Sequence, residues 1–337
     1  MADKIRVLIV NDSPFIRMAI KAILESDPSI EVIGIAEDGK EGVEKAYQLK
    51  PDVVAMDLEM PVMSGFEAIE KIMEENPLPI IVVSSMDIPV IIKALGNGAM
   101  GFVAIKLGVE ENAADLLEKV KIASRFKPLR RMKIRPMIKA PQVKGKEAVP
   151  YIIVAIGIST GGPQALQLLL SKLPANLACG ILIVQCLSPG FVGGLAEWLN
   201  ANSALDIRVA KTGDILGTGE VLLAPDDYHI KIDGGRKIIL SQDKTKSNLN
   251  VPSINVMMQS VAEAFGKEAV GVIMTGVGHD GVEGIKAIKK AGGRTIAQDE
   301  KTSAVFEMNK EAIETGCVDS IVALEMMADE IIRTVKG

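Results

Sequence analysis

Residues 157–161, Gly-Ile-Ser-Thr-Gly, set the Ser159 hydroxyl between glycines in a G-x-S-x-G arrangement. An apolar, β-branched run over 151–156 leads into it, and Pro163 with a helix-period run through Leu170 leads out. Strand, sharp glycine turn and helix together form the context in which this pattern lifts a serine above a sheet as a nucleophile. Amide N–H groups at the helix start then face a developing oxyanion. The same residues also fit a glycine turn with a capping serine, or an anion-binding loop. A second set of reactive types comes earlier: Asn11-Asp12, Asp57, Ser84-Ser85 and Lys106 fall at or near the ends of apolar runs. Two carboxylates beside a hydroxyl and an ammonium suit Mg²⁺ and a phosphoryl group. Acids at such positions otherwise cap the next helix, a role that Asp12 fits better than Asp57.

The elements that must position these groups alternate. Apolar runs over 5–10, 32–36, 53–56, 80–83 and 102–105 predict buried strands. Helix-period segments over 15–25, 40–50, 65–75, 89–95 and 110–122 fall between and after them. That rhythm predicts a doubly wound, flavodoxin-like α/β domain with a five-stranded parallel sheet and ligands outside the carboxyl ends of its strands. In the second half, strands are predicted over 151–156, 180–185, 269–275 and 295–297, and a final strand–helix pair ends the chain. A helix carries Trp198, short β pieces lie among turns over 213–241, and Pro252-Ser253 opens a helix to about residue 265. This predicts a second doubly wound α/β domain, in which Ser159, Cys186 and Asp280 stand at strand ends and converge on one crevice.

Composition bounds the possibilities. A chain of 337 residues with 48% apolar content accommodates two α/β cores, and with 3% aromatics those cores rest on aliphatic side chains. A net charge of −5 argues against a nucleic-acid binder. Three scattered cysteines make neither a disulfide framework nor a zinc site. No apolar run approaches the ~18 residues of a membrane span. Residues 1–10 lack a signal-peptide layout, so a cytoplasmic protein is expected. The predicted domains are 1–122 and 151–337. Residues 123–150 between them hold Pro128, Pro136 and Pro141, many Lys and Arg, and Glu147 as the one acid, which predicts an extended, mobile linker. The charge run there reads first as solvated, and otherwise as a contact for an acidic partner or lipid surface.

The runs VLIVNDSPFIR, PDVVAMDLEMPVMSGFEAI and IIVVSS resemble a response-regulator receiver domain. The resemblance implies Asp57 as phospho-acceptor and a Mg²⁺ site made by Asp12, Asp57 and the Glu59 carbonyl. It also implies Ser84, Phe102 and Lys106 as the switch residues. Two departures stand out. Asn11 occupies the place of the first of two acids, which removes a charge near the metal. Phe102-Val103-Ala104-Ile105-Lys106-Leu107 carries one extra residue before the lysine and lacks the following proline. A one-residue shift turns a strand side chain to the other face unless a bulge restores it.

The runs IGISTGGPQAL, QCLSPGF, APDDYH, PSINV, GVIMTGVGHDGVEGI and AQDEKTSAVFEM resemble the catalytic domain of the chemotaxis protein-glutamate methylesterases. The resemblance implies Ser159 as nucleophile, Asp280 as the acid of a Ser-His-Asp triad, and Thr160 with the Val277 backbone as oxyanion holders. It implies hydrolysis of glutamate methyl esters and deamidation of glutamines on methyl-accepting chemoreceptors. Phosphorylation by a chemotaxis histidine kinase would relieve blockage by the receiver domain. Mg²⁺ serves phosphorylation, and hydrolysis needs no cofactor. The departure that matters most is Cys186, which stands where the family carries its histidine base. Loss of that histidine in a serine hydrolase costs roughly 10⁶-fold in turnover. His279, beside Asp280, and the Cys186 thiolate are the candidate substitutes, and a small buried residue is the bland reading of Cys186. Glu307 and Asn309 stand in the family's Phe-Gly-Met-Pro segment, and Val251 replaces the arginine before Pro-Ser. Glu307 in place of glycine is expected to bring strain or charge to the site. Three functions therefore stand: a phosphorylation-regulated methylesterase and deamidase, a silent homologue that binds receptors or competes for phosphoryl groups, and an unrelated signalling hydrolase with a small ester substrate.

Overall fold

The computed structural model describes residues 4–104, 112–125, 128, 151–187, 189–242 and 251–336. Contacts divide the chain into two compact units, 1–133 and 134–337.

In the N-terminal unit the strands are β1 (Ile5–Val10), β2 (Ile30–Ala36), β3 (Val53–Met56), β4 (Ile80–Ser84) and β5 (Gly101–Ala104). They alternate with α1 (Pro14–Glu25), α2 (Gly39–Leu49), α3 (Gly65–Glu75), α4 (Ile88–Gly96) and α5 (Ala113–Ala123). The sheet order is β2-β1-β3-β4-β5, and every pairing is parallel. Helices on both faces bury β3 and β4 along their whole length, which is why those strands read as unbroken apolar runs. Local signals set the helix starts. The Ser13 hydroxyl accepts the Ile16 N–H ahead of Pro14, and Ser64 and Glu67 form a reciprocal capping box on α3. Helix α5 reaches Ala123, one residue beyond the end expected for that helix. The rest of the expected linker, apart from Ser124, Arg125 and Pro128, and Lys106 with its register question, lie outside the described residues.

The C-terminal unit holds β6 (Ile152–Ile158), α6 (Gly162–Lys172), β7 (Cys179–Gln185), α7 (Val192–Ala201), β8 (Asp206–Val209) and β9 (Glu220–Leu223). There follow β10 (His229–Ile232), β11 (Ile238–Ser241), α8 (Ile254–Phe265), β12 (Ala269–Ile273), α9 (Val282–Lys290), β13 (Arg294–Gln298), α10 (Glu307–Glu314), β14 (Ser320–Val322) and α11 (Met327–Lys336). Seven strands form a parallel sheet in the order β14-β13-β12-β6-β7-β9-β8, and β10-β11 make a separate antiparallel hairpin. Strand β6 is first in the chain, and later strands are laid on either side of it. The sheet therefore reverses its winding between β6 and β12, the place where such sheets open a crevice. The turn-rich stretch contains two kinds of β piece, since β9 extends the main sheet beside β8 while β10 and β11, among the described residues, form their own two-stranded sheet. Helix α10 has no counterpart in the periodicity reading. It is eight residues long with an interior Asn309, too short and polar to stand out.

Candidate functional site

In the N-terminal unit the predicted groups gather at the carboxyl end of the sheet. Asp57 follows β3, and its N–H donates to the Val10 carbonyl at 2.9 Å. Its Oδ1 accepts the Leu58 N–H at 2.7 Å, and its Oδ2 accepts the Asn11 Nδ2 amide at 2.7 Å. The Asn11 Oδ1 accepts the Ser13 N–H at 2.8 Å, so both ends of this amide are engaged. Below it the buried Arg17 guanidinium donates to the carbonyls of Asn11 and Asp12, each at 2.9 Å, and pairs with Glu37. Burial pushes the Asp57 carboxyl above its ordinary range. The Ser84 hydroxyl and the Leu58 and Glu59 amides pull it down, and the charge of Asp12 adds to the rise. Asp12 and Glu59 are exposed, Ser84 is buried at the end of β4, and Phe102 is buried on β5 with the Lys119 ammonium over its ring.

In the C-terminal unit β6 delivers Ser159 to the rim of the crevice. Its N–H donates to the Thr275 carbonyl at 2.9 Å, and its own carbonyl accepts from Gly162 N–H and Gln185 Nε2. Gly161 turns the chain into α6 at φ +79°, a conformation open to glycine, and a Cβ there would stand 2.6 Å from Ala304 Cβ. Beyond β12 the chain passes equally close: a Cβ on Gly276 would sit 2.7 Å from Ser159 Cβ. Among the described residues, the amide N–H groups of Thr160 and Val277 donate to no protein acceptor. They are the two N–H groups that the sequence reading expects to hold an oxyanion.

Cys186 follows β7, and its N–H donates to the Ile158 carbonyl at 3.1 Å, which holds it beside the elbow. Burial first, and the nearby charge of Asp280 second, push its thiol up to about 12. At neutral pH a thiol raised this far is protonated and cannot take a further proton. Asp280 is therefore near Cys186, yet its carboxylate is already engaged. Oδ1 accepts the Ser253 hydroxyl at 3.0 Å and the Asn255 N–H at 2.9 Å, and Oδ2 accepts the Ile254 N–H at 2.8 Å. These donors open α8, so the carboxylate caps that helix directly.

Both histidines are engaged with partners of their own. His229 is buried at the start of β10, and its Nδ1 accepts the Ser253 N–H at 3.1 Å. His279 is exposed, and its Nδ1 pairs with the Glu311 carboxylate on α10, which raises its pKa. Glu307 departs from the strain expected of it. It occupies the first turn of α10 without a left-handed backbone, and its Oε2 accepts the Gly278 N–H at 3.2 Å. Asn309 is buried and donates to Ser303 Oγ at 2.9 Å. The Glu307 and His279 contacts were not visible in the sequence, because each joins residues about thirty positions apart.

The chain matches two family models, the response regulator receiver domain over residues 7–118 and the CheB methylesterase over 154–331. It is 43% identical to a protein-glutamate methylesterase/protein-glutamine glutaminase of Pyrococcus abyssi, across 99% of this chain and 94% of that one. It is 42% identical to the protein of the same name from Pyrococcus horikoshii, across 100% of this chain and 95% of that one. The crystal structure of the Thermotoga maritima CheB methylesterase catalytic domain is similar at a TM-score of 0.53 and 34% identity, covering 55% of this chain and 99% of that structure. With a receiver sheet in front and the Ser159 crevice behind, the chain belongs to the CheB family of protein-glutamate methylesterases/protein-glutamine glutaminases.

Proposed function

We propose that this chain acts in the cytoplasm on methyl-accepting chemoreceptors as a methylesterase and glutaminase gated by phosphorylation, with hydrolysis held far below that of a histidine-bearing relative. The observation that carries this reading is Cys186, a thiol kept protonated beside Asp280 where the reaction needs a base. Ser159 Oγ attacks the ester carbonyl carbon, and the carbonyl electrons move onto oxygen, facing the Thr160 and Val277 N–H groups. Collapse expels methanol, or ammonia from a glutamine, and water then releases glutamate from the acyl-serine. With no imidazole to carry it, the hydroxyl proton passes through solvent water to the departing methoxide or amide nitrogen, so the oxyanion donors supply what catalysis there is.

Receiver domains accept phosphoryl groups on an aspartate with the help of Mg²⁺, and here Asp57 is the acceptor, with a histidine kinase as donor. Asp12, Asp57 and the Glu59 carbonyl are hard oxygen donors that fit Mg²⁺, which keeps several of its waters. The ion, when bound, neutralises charge on the transferring group. Ser84 meets the phosphoryl oxygens, and Phe102 and Lys106 are the remaining switch positions. Asn11 gives this site no charge, since its amide is committed to Asp57 and Ser13.

A second reading, a silent homologue that binds receptors or competes for phosphoryl groups, is favoured by the engagement of Asp280. Its three hydrogen bonds at α8 give that acid a structural role without catalysis. Methanol release from methylated receptor membranes, with and without a small phosphodonor, separates the two. Slow release that rises with the phosphodonor and is lost in Ser159→Ala is expected. Receptor binding without any Ser159-dependent release would establish the silent reading.

A further inference from the structure

The turn after β12 is pinned from two sides. On one side stands the elbow, through Ser159 N–H to the Thr275 carbonyl and the close passage of Gly276 against Ser159. On the other side stands α10. Gly276 N–H donates to the Val305 carbonyl at 3.0 Å, and Met308 N–H donates to the Gly276 carbonyl at 3.2 Å. Glu307 takes the Gly278 N–H, and Glu311 takes His279. Glu307 and Glu311 are four residues apart, so both project from one face of α10 onto consecutive residues of the turn. Gly278 is at φ +92°, and a Gly-Val-Gly turn has wide backbone freedom unless something ties it. Val277 lies between the two pinned ends, and its N–H is the donor left pointing to no protein acceptor.

We propose that Glu307 is a positioning residue for hydrolysis at Ser159: its carboxylate holds the Gly278 peptide and so aims the Val277 N–H at the developing oxyanion, with Glu311 and His279 as a second tie on the same turn. The proposal rests on the reading of Ser159 as nucleophile. Glu307 does not touch the substrate. It acts through the turn, and its negative charge is secondary to its acceptor oxygen. An amide at this position keeps that oxygen, whereas a methyl group loses it.

The test uses the full chain in natural and Cys186→His forms, each with Glu307→Ala and Glu307→Gln, and follows methanol release together with amide hydrogen exchange at Gly278. Glu307→Ala should lower kcat about tenfold with KM within about twofold. It should also speed exchange at the Gly278 amide, while Glu307→Gln stays within about threefold of its parent in kcat and keeps that amide slow. A parent turnover that Ser159→Ala removes, with kcat unchanged in Glu307→Ala, overturns the positioning role alone. A gain in kcat in Glu307→Ala overturns it too, by showing Glu307 to be an obstruction. If neither parent shows turnover that Ser159→Ala removes, the nucleophile reading fails and the proposal falls with it. Equal melting temperatures of the two Glu307 variants exclude a folding defect as the cause of their difference.

Discussion

The Asn11 side chain donates its Nδ2 amide to Oδ2 of Asp57 at 2.7 Å. An uncharged group thus occupies one oxygen of Asp57, the proposed phospho-acceptor, where the family pattern places a second acid. The amide orients Asp57 but adds nothing to the attraction for a divalent cation. Asn11→Asp should strengthen Mg²⁺ binding about tenfold, or ~1.4 kcal/mol, through the added carboxylate. Titration calorimetry of Mg²⁺ into the two proteins measures this directly. Equal affinities would mean that the aspartate cannot turn toward the ion.

The same carboxylate predicts a pH dependence. Burial raises the folded-state pKa of Asp57 above its ordinary value. Between those two values the folded chain keeps a proton that the unfolded chain has released. Stability is therefore lost as pH rises through that window and stays lower above it. Asp57→Asn removes the titration. Its advantage in melting temperature over the natural chain should grow as pH rises above the ordinary carboxylate range and level off once the folded carboxyl has ionised. Calorimetric melts across that range check it, and an advantage independent of pH would contradict it. The same variant should take no label from a small phosphodonor.

At the Ser159 crevice, an imidazole in place of the Cys186 thiol supplies the missing acceptor for the serine proton. Cys186→His should raise methanol release by about 10²-fold or more, and Ser159→Ala should abolish the gain. Cys186→Ala should leave release close to that of the natural chain, because a thiol pushed up to about 12 is not a working base. A large loss in Cys186→Ala would assign the base to the thiol after all.

Asp280 is expected to matter to the fold whether or not the chain is a fast enzyme. Its carboxylate accepts the Ser253 hydroxyl and the amides of Ile254 and Asn255 at the start of α8. Asp280→Ala leaves those donors without their acceptor and should cost about 1–3 kcal/mol in urea unfolding. An unchanged unfolding midpoint would show that water replaces the carboxylate at no cost.

Much of the protein was legible in its residue order. Parallel strands buried on both faces must be continuous apolar runs, so Val53–Met56 and Ile80–Ser84 announced themselves, and the acid and serine at their ends came with them. Ser159 was legible because a sharp strand-to-helix turn needs glycines at fixed places. The order of segments was enough to reach the family, and the type of residue at position 186 raised the question of the base. Tertiary structure decided what local pattern cannot encode. The eight residues of Glu307–Glu314 form a helix because Met308, Asn309 and Ala312 are buried, not because their sequence insists on one. The protonation of Cys186 depends on burial and on Asp280, which is 94 positions away in the chain. The three donors on Asp280 and the hold of Glu307 on Gly278 are likewise contacts between distant segments. Solvent exclusion, charge proximity and hydrogen-bond geometry act through space, and they exist only once the chain has folded.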